Sequence, residues 1–275
     1  MNGPATLAGE VARAVATVQK LGIERPELAT PAGALARALP VIFRDVEGPN
    51  AVSTERVRDQ ARADVPFFQA DPPELDAARL RRTARALAWA LKRDLRSAAG
   101  FAKVDIAAWA NAWVRGEVGP LEADAERRGL DPVEALTLLR LTVWPELAAR
   151  TDHLDGLRLE HDWKSKTCPD CGLGSILLVE SRGLEGLRWA RCAACAGERP
   201  VSRLGCPSCG VAEAPRQRVL IVEGDESGPR LFQCGLCGFE TIVTTTLARL
   251  SAPALLVMEL AGLSLRFTRP SRASP

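Results

Sequence analysis

Four Cys-x-x-Cys pairs decide the fold of this chain: Cys168-Pro-Asp-Cys171, Cys192-Ala-Ala-Cys195, Cys206-Pro-Ser-Cys209 and Cys234-Gly-Leu-Cys237. Together they contain all eight cysteines of the 275-residue chain. Twenty residues separate the first pair from the second, ten the second from the third, and twenty-four the third from the fourth. The spacing therefore groups the pairs into two consecutive units of four cysteines each.

Each unit is a candidate four-thiolate metal site. Two cysteines three positions apart can place both sulfurs on one cation at about 2.3 Å, and two such turns complete a tetrahedron. Four pairs with no cysteine left over favour metal binding over a lone redox pair. We predict that one ion is bound by Cys168, Cys171, Cys192 and Cys195, and a second ion by Cys206, Cys209, Cys234 and Cys237.

The two units are similar to each other in sequence. Each has the order knuckle, strand, Gly-rich turn, strand, knuckle, where a knuckle is the turn that contains one Cys-x-x-Cys pair. A glycine follows three of the pairs, at Gly172, Gly210 and Gly238, but Ala196 follows the second pair. Glycine readily adopts the left-handed conformation that turns backbone amides towards sulfur. The pattern predicts two tandem rubredoxin-like or zinc-ribbon modules.

The bulk composition is that of a globular protein, with 47% hydrophobic and 25% charged residues. From Lys164 onward there are 14 basic and 10 acidic residues, a formal charge of +4. Four thiolates on a divalent ion leave −2, so two such sites would cancel this charge. The charge balance therefore does not indicate a nucleic-acid-binding surface.

The sequence indicates a cytoplasmic protein. The N-terminus has neither a basic leader nor an apolar core, and the longest apolar run, Ala252 to Leu263, is short and carries Glu259. We therefore expect no export and no membrane span. In a reducing compartment, cysteines are metal ligands more often than disulfide partners.

The chain up to about residue 150 has helical periodicity and no strand-like alternation of any length. We predict helices over Leu7 to Leu21, 103–115 and 120–128. A further helix begins at Asp131-Pro-Val-Glu134, and Pro145 is expected to kink or restart it.

One more helix is predicted to be capped by Asp71-Pro-Pro-Glu74, with an apolar face from Leu80 to Leu95. We interpret its other face as solvated surface rather than a docking site for an acidic partner. That face carries Arg79, Arg81, Arg82, Arg85, Lys92, Arg93 and Arg96.

These patterns predict the α+β class: an all-α domain over residues 1–163, a first metal module over 164–205, and a second over 206–275. The second module includes a strand over 240–246 and a short C-terminal helix that Ser251 caps and that runs through Leu263. His153 and His161 precede the modules, but eight cysteines already fill two tetrahedra, so we do not expect these histidines to bind metal.

With these motifs, the chain resembles the FdhE family, the accessory proteins needed to form active formate dehydrogenase. The resemblance rests on the four pairs in order, on Gly186-Leu-Arg-Trp189 before Cys192, and on Glu198, Val201 and Arg203 before Cys206. It implies iron as the metal in at least some members, and binding to the catalytic subunit of a molybdenum- or tungsten-dependent formate dehydrogenase. It implies no catalytic residues.

Two other functions stay open. One is a zinc-ribbon nucleic-acid-binding protein, for which Arg182, Arg188, Arg191, Arg199 and Arg203 form the one dense basic set. The other is a rubredoxin-like electron-transfer protein, because four thiolates suit iron and zinc alike. Catalysis is not expected, since a closed four-sulfur site has no open coordination position. Self-association stays open too.

Overall fold

The computed structural model describes residues 6–46, 55, 57, 59, 65–158, 166–183, 186–213, 216–221 and 228–267, with only the backbone at residues 153, 155–158, 266 and 267. Helices precede and follow one sheet, as the predicted α+β class requires. The helices are α1 (Leu7–Glu24), α2 (Ala29–Ile42), α3 (Phe67–Ala70), α4 (Ala77–Leu91), α5 (Ala98–Phe101), α6 (Ile106–Val114), α7 (Val118–Arg127), α8 (Pro132–Arg158) and α9 (Ala252–Phe267), with a 3-10 turn at Pro26–Leu28.

The six strands form a single sheet in the order β3-β2-β1-β6-β5-β4. They are β1 (Ile176–Arg182), β2 (Leu187–Cys192), β3 (Glu198–Val201), β4 (Gln217–Leu220), β5 (Arg230–Cys234) and β6 (Glu240–Thr246). Within each module the strands pair antiparallel. The modules are joined by parallel pairing of β1 with β6, in which Leu178 lies opposite Ile242.

This sheet adds two features to the sequence prediction. The predicted strand over 240–246 is present, but β3, which follows the second knuckle, was not predicted. The pairing of β1 with β6 was not predicted either, because it joins strands about sixty residues apart in the chain. The boundaries at residues 163 and 205 stay predictions, and the two modules share one continuous sheet.

The predicted cap of the arginine-rich helix is wrong. Helix α4 begins at Ala77, and the Asp76 side chain accepts hydrogen bonds from the amides of Ala78 and Arg79 at 2.8 and 3.1 Å. Asp71 instead follows the four-residue helix α3. Both aspartates precede residues that can form a helix, but the two prolines after Asp71 provide no amide for its carboxylate to bind, whereas Ala78 and Arg79 do.

Pro145 does not restart the long helix. Helix α8 is continuous from Pro132 to Arg158, and it begins as predicted, with the Glu134 amide donating to Asp131 Oδ1 at 3.0 Å. It extends to Arg158, close to the predicted end of the all-α domain at residue 163. The helix is buried along residues 142–148, so packing there supports the backbone that the proline leaves without one hydrogen bond.

Arg79 is not on the solvated face of α4. It is 6% exposed, and its guanidinium pairs with the Glu146 carboxylate on α8 and donates to the Ile42 carbonyl at 3.4 Å. The pair therefore joins three helices inside the core. The other six cations of the predicted face are exposed, as expected.

Helix α9 packs the sheet against the N-terminal helices. At Gly262 the helix approaches β6 so closely that an added Cβ would collide with the Ile242 side chain. On its other side, Arg25 at the end of α1 donates to Ser264 Oγ at 2.7 Å. The helix begins directly after Ser251, as predicted, and ends at Phe267 rather than Leu263. None of the described helices is long and apolar enough to cross a membrane.

The buried Arg79–Glu146 pair leads to a stability prediction. Replacing Arg79 by Met removes the partner of a buried carboxylate, which costs about 3–5 kcal/mol of unfolding free energy in pairs of this kind. Arg81→Met, on the exposed face of the same helix, should change stability by less than about 0.5 kcal/mol. Urea unfolding at neutral pH measures both, and equal effects would contradict the pairing.

The loss of unfolding free energy in the Arg79→Met variant should also depend on pH. Burial raises the pKa of the Glu146 carboxyl above its ordinary value, and the charge of Arg79 offsets only part of this increase. Without Arg79 the pKa rises further, so the protonated form is favoured in the folded state. The unfolding free energy of the variant should therefore recover as the pH falls through that raised pKa towards the ordinary range of a glutamate.

Candidate metal centres

The four knuckles share one backbone geometry. In each, the first cysteine's carbonyl accepts a hydrogen bond from the amide four residues later, and its amide donates to the carbonyl five residues later, at 2.8–3.0 Å. The residue four positions after the first cysteine has a positive φ in every case: Gly172 (77°), Ala196 (61°), Gly210 (80°) and Gly238 (71°).

Ala196 therefore adopts the same turn as the three glycines. A non-glycine residue in this region costs roughly 1–2 kcal/mol, and among the described residues Asp45 is the other example. The Ala196 methyl group is fully buried, and its carbonyl accepts a hydrogen bond from Arg191 Nε at 2.9 Å. Burial and this hydrogen bond oppose the cost of the conformation.

Backbone amides in the knuckles point at the sulfurs. The amides of Ala194, Gly197 and Ser208 lie 3.4 Å from Cys192 Sγ, Cys195 Sγ and Cys206 Sγ respectively. Amides in this position stabilise thiolates and orient them towards a metal.

The folded chain brings together the two sets of cysteines that the spacing predicted. We call Cys168, Cys171, Cys192 and Cys195 the first cluster, and Cys206, Cys209, Cys234 and Cys237 the second cluster. Within each cluster all four Sγ atoms lie within 4.8 Å of one another. No cysteine is shared between the clusters.

The sulfur separations fit a tetrahedral ion. In the first cluster, Cys168 lies 3.5 Å from Cys195, and Cys171 lies 3.5 Å from Cys192. The two corresponding separations in the second cluster are 3.8 and 3.7 Å. A tetrahedron with metal–sulfur bonds of about 2.3 Å has edges of about 3.8 Å. Each cluster can therefore hold a metal ion.

The protonation of the thiols also indicates that a cation is needed. In the first cluster, hydrogen bonds from the other three thiols hold the pKa of Cys192 well below its ordinary value. The pKa of Cys171, beside Cys168 and Cys192, lies well above it, and burial does the same for Cys195. Four sulfurs so close together cannot all be negative unless a metal compensates them, so metal binding must release protons.

In the second cluster, too, the pKa values of the thiols are shifted in opposite directions. Burial raises the pKa of Cys206 to about 12, whereas the backbone hydrogen bond from Cys237 lowers the pKa of Cys234 to about 7. The Cys234 thiolate therefore forms readily near neutral pH, whereas Cys206 needs the charge of the ion to lose its proton. Acidification should weaken metal binding at both clusters.

Asp170 and Gly197 interlock the two knuckles of the first cluster. Asp170 is fully buried between the two cysteines of its knuckle, and its Oδ2 lies 3.9 Å from Cys168 Sγ. A Cβ on Gly197 would collide with this carboxylate. Sequence reasoning treated Asp170 only as an intervening residue and did not single out Gly197.

A buried ion network supports the second knuckle. Arg191, fully buried, donates to Glu180 Oε1 at 2.8 Å and to the Ala196 carbonyl. Arg182 donates to Glu180 and to Glu198, at 2.9 and 2.6 Å. Burial alone would raise the pKa of Glu198, but the nearby arginines hold it below its ordinary value.

Most arginines of the basic set considered for nucleic-acid binding make hydrogen bonds or ion pairs within the protein. Arg182 and Arg191 belong to the ion network, and Arg188 donates to backbone carbonyls of the loop before the third knuckle, including that of Arg203 at 3.0 Å. Arg199 donates to the Pro207 carbonyl at 2.8 Å. Of the two histidines, His161 lies outside the described residues, as does the side chain of His153.

Fold and site together define a class of protein: a helical domain joined to a sheet that carries two four-cysteine, rubredoxin-like metal modules. No family model matches the chain, and no curated protein matches it. A solved structure does, that of the FdhE protein from Pseudomonas aeruginosa, with a TM-score of 0.58 and 18% sequence identity over 94% of this chain and 89% of that one. The resemblance to FdhE drawn from the sequence is therefore confirmed at the level of the fold.

The knuckle glycines lead to a second prediction. At Gly238 nothing lies within 4 Å of an added Cβ, so Gly238→Ala should cost only the roughly 1–2 kcal/mol of the left-handed conformation. At Gly172 the same Cβ would also lie 2.9 Å from Pro66 Cγ and collide with the Gln69 side chain. Gly172→Ala should cost about 1–3 kcal/mol more because of this overpacking. Urea unfolding of the zinc-loaded variants tests this, and equal losses would contradict it.

Proposed function

We propose that this chain is a cytoplasmic accessory protein that binds the catalytic subunit of a molybdenum- or tungsten-dependent formate dehydrogenase and supports its maturation. The observation that carries the proposal is the likeness to FdhE, which spans 94% of the chain and so includes the helices as well as both cysteine clusters. A metal module alone would be shared by many unrelated proteins.

The eight cysteines serve this function as ligands of two metal ions, iron or zinc. Four thiolates close the coordination sphere of either metal, so a bound ion has no open position for a substrate. The protein then acts through its surface rather than as an enzyme. If the metal is iron, the clusters also allow one-electron exchange during maturation, which is the rubredoxin-like alternative.

The experiment for this function is anaerobic purification, elemental analysis and a visible spectrum, followed by capture of candidate catalytic subunits. We expect two metal ions per chain and capture of the formate dehydrogenase subunit. A subunit of a molybdenum enzyme with another activity is the matched control. Binding of neither subunit would contradict the accessory role, and a colourless protein that contains only zinc would exclude the electron-transfer alternative.

One exposed surface of the helical domain has the composition of a protein interface. Trp89 on α4 is 72% exposed, although tryptophan normally buries its large apolar ring. The cations of the same helix and of the segment after it, which we call with Trp89 the basic surface, are all exposed and make no ion pair within 4 Å with any residue that the structure describes: Arg81, Arg82, Arg85, Lys92, Arg93 and Arg96. Lys92 lies 5.1 Å above the Trp89 ring.

The sequence alone favoured a solvated face for these cations, but the exposed Trp89 ring among them leads us to assign the basic surface to an acidic region of the client subunit. Six exposed positive charges that make no ion pair with the described residues favour a surface of opposite sign, and aromatic residues and arginine are enriched where protein partners bind most strongly. Arg82, Arg85 and Trp89 follow each other at three- and four-residue steps, so they lie along one side of the helix.

Substitution tests the basic surface. Trp89→Ala and the double change Arg82→Glu with Arg85→Glu should each weaken capture of the catalytic subunit by at least about tenfold, because central interface residues contribute more than 1–2 kcal/mol. Arg13→Glu, an exposed charge reversal on α1, is the matched control and should have no effect. If all variants capture the subunit equally, the basic surface is not the docking site, although the accessory role would stand.

Nucleic-acid binding was considered above for the arginines of the metal modules, and binding at the basic surface of the helical domain would give a different result in this experiment. A salt-dependent shift of duplex DNA or RNA at physiological ionic strength, lost in the double Arg82→Glu, Arg85→Glu variant, would assign the basic surface to a nucleic acid instead.

A further inference from the structure

The helices enclose the first cluster. All four of its cysteines are buried. The amides of Phe67 and Phe68 at the start of α3 donate to the carbonyls of Pro169 and Asp170 in the first knuckle, at 2.9 and 2.7 Å. These bonds fasten the first knuckle to the helical domain.

The second knuckle is held by α8 in the same way. Arg140 Nε donates to the Ala193 carbonyl at 2.9 Å, and Thr151 Oγ1 donates to the Cys195 carbonyl at 3.2 Å. The guanidinium of Arg140 is itself fixed by two hydrogen bonds of 2.8 Å to Glu259 on α9. Both knuckles of the first cluster therefore belong to the main core of the protein.

The second cluster is packed very differently. Cys209 is half-buried and Cys237 is exposed, as are all four residues 235–238, whereas the corresponding residues 193–196 of the first module are mostly buried. Its buried members form a separate small apolar group with Phe232. Among the described residues, the hydrogen bonds of its knuckles come from the sheet region, such as those of Arg199 with Pro207 and of Gly235 with the Arg216 carbonyl.

This difference affects how an ion leaves each cluster. A thiolate metal site exchanges its ion when one sulfur dissociates and an incoming ligand takes its place, and access of the incoming ligand controls thiolate chemistry. In the second cluster, Cys237 can leave the ion and meet such a ligand at the surface. In the first cluster the same step requires the packed helices to open, which costs part of the stability of the fold.

We propose that the second cluster is a metal-exchange site and that the first cluster is a permanent structural site. The ion of the second cluster is delivered or withdrawn through Cys237 by an incoming thiol, from a partner protein or a small molecule. This assignment rests on metal binding by both clusters, as proposed above, and goes beyond the accessory role.

The exchange step balances without an oxidant or reductant. The incoming thiol loses its proton and its sulfur forms a bond to the ion, while the bond between the ion and Cys237 Sγ breaks. The Cys237 thiolate takes up a proton, and the charge of the ion does not change. The same exchange at Cys209, which is also partly accessible, and then at Cys206 and Cys234 replaces each remaining cysteine by an incoming thiolate and protonates it, which releases the ion.

The test uses the full chain loaded with two zinc ions. Mixed with the chelator 4-(2-pyridylazo)resorcinol and glutathione, it should release one ion at least about tenfold faster than the other, because the slow ion requires a local opening that costs more than about 1.4 kcal/mol. Alkylation with N-ethylmaleimide, followed by peptide mass spectrometry, should modify Cys237 first and the first cluster last.

Two variants show which cluster releases its ion in the fast phase and which in the slow phase. Cys237→Ser should abolish the fast phase and leave one tightly held ion. Arg140→Met removes the bond to the second knuckle without touching a ligand, so it should accelerate the slow phase and leave the fast phase unchanged. Arg218→Met, at an exposed position on β4, is the matched control and should change neither phase.

Three outcomes would overturn the proposal: release of both ions at one rate, modification of the first cluster before Cys237, or a fast phase that Arg140→Met accelerates. The Arg140→Met and wild-type measurements decide the question even if Cys237→Ser does not fold. A chain that binds no zinc would contradict metal binding as well, and so would be distinguished from failure of the exchange assignment alone.

Discussion

The hydrogen bonds between α3 and the first knuckle connect the helical half of the protein to its sheet. The amides of Phe67 and Phe68 are among the first of a short helix and have no partner within it, and the Pro169 and Asp170 carbonyls accept their hydrogen bonds. A metal ion bound by the first cluster would hold the first knuckle in shape, and its binding would then also contribute to the stability of the helical domain.

The ion network between β1, β2 and the loop before α9 extends this dependence to the rest of the sheet. Glu180 accepts hydrogen bonds from Arg182, from Arg191 and from the Leu250 amide at 3.0 Å. Removing one member would leave a buried charge without its partner, which is costly even where the complete network adds little net stability. We interpret the network as a source of conformational specificity, because it fixes where the second knuckle and the start of α9 lie relative to the sheet.

Local chemistry made some of these features predictable from the sequence, and non-local packing explains the rest. The grouping of the cysteines followed from their spacing, and the start of α8 followed from Asp131 and Glu134. The cap at Asp76 was missed because Asp71 has the same signature, and only the folded backbone shows which carboxylate meets free amides. Burial of Arg79 depends on Glu146, sixty-seven residues away. The joining of the modules through β1 and β6 has no local signal at all.

The difference between the clusters could not be predicted for the same reason, and it is the feature with the most direct bearing on function. The two modules repeat the same order of knuckles and strands, and the sheet places the same strand order side by side, β3-β2-β1 next to β6-β5-β4. Four thiolates bind a metal equally well in either copy, so the sequence predicts equivalent sites. Helices α3 and α8 break this equivalence because their hydrogen bonds reach the knuckles of the first cluster, whereas α9 packs against β5 and β6 of the second module. One-sided burial of two repeated modules is thus a physical route from two similar four-cysteine clusters to one buried cluster and one with an accessible thiol.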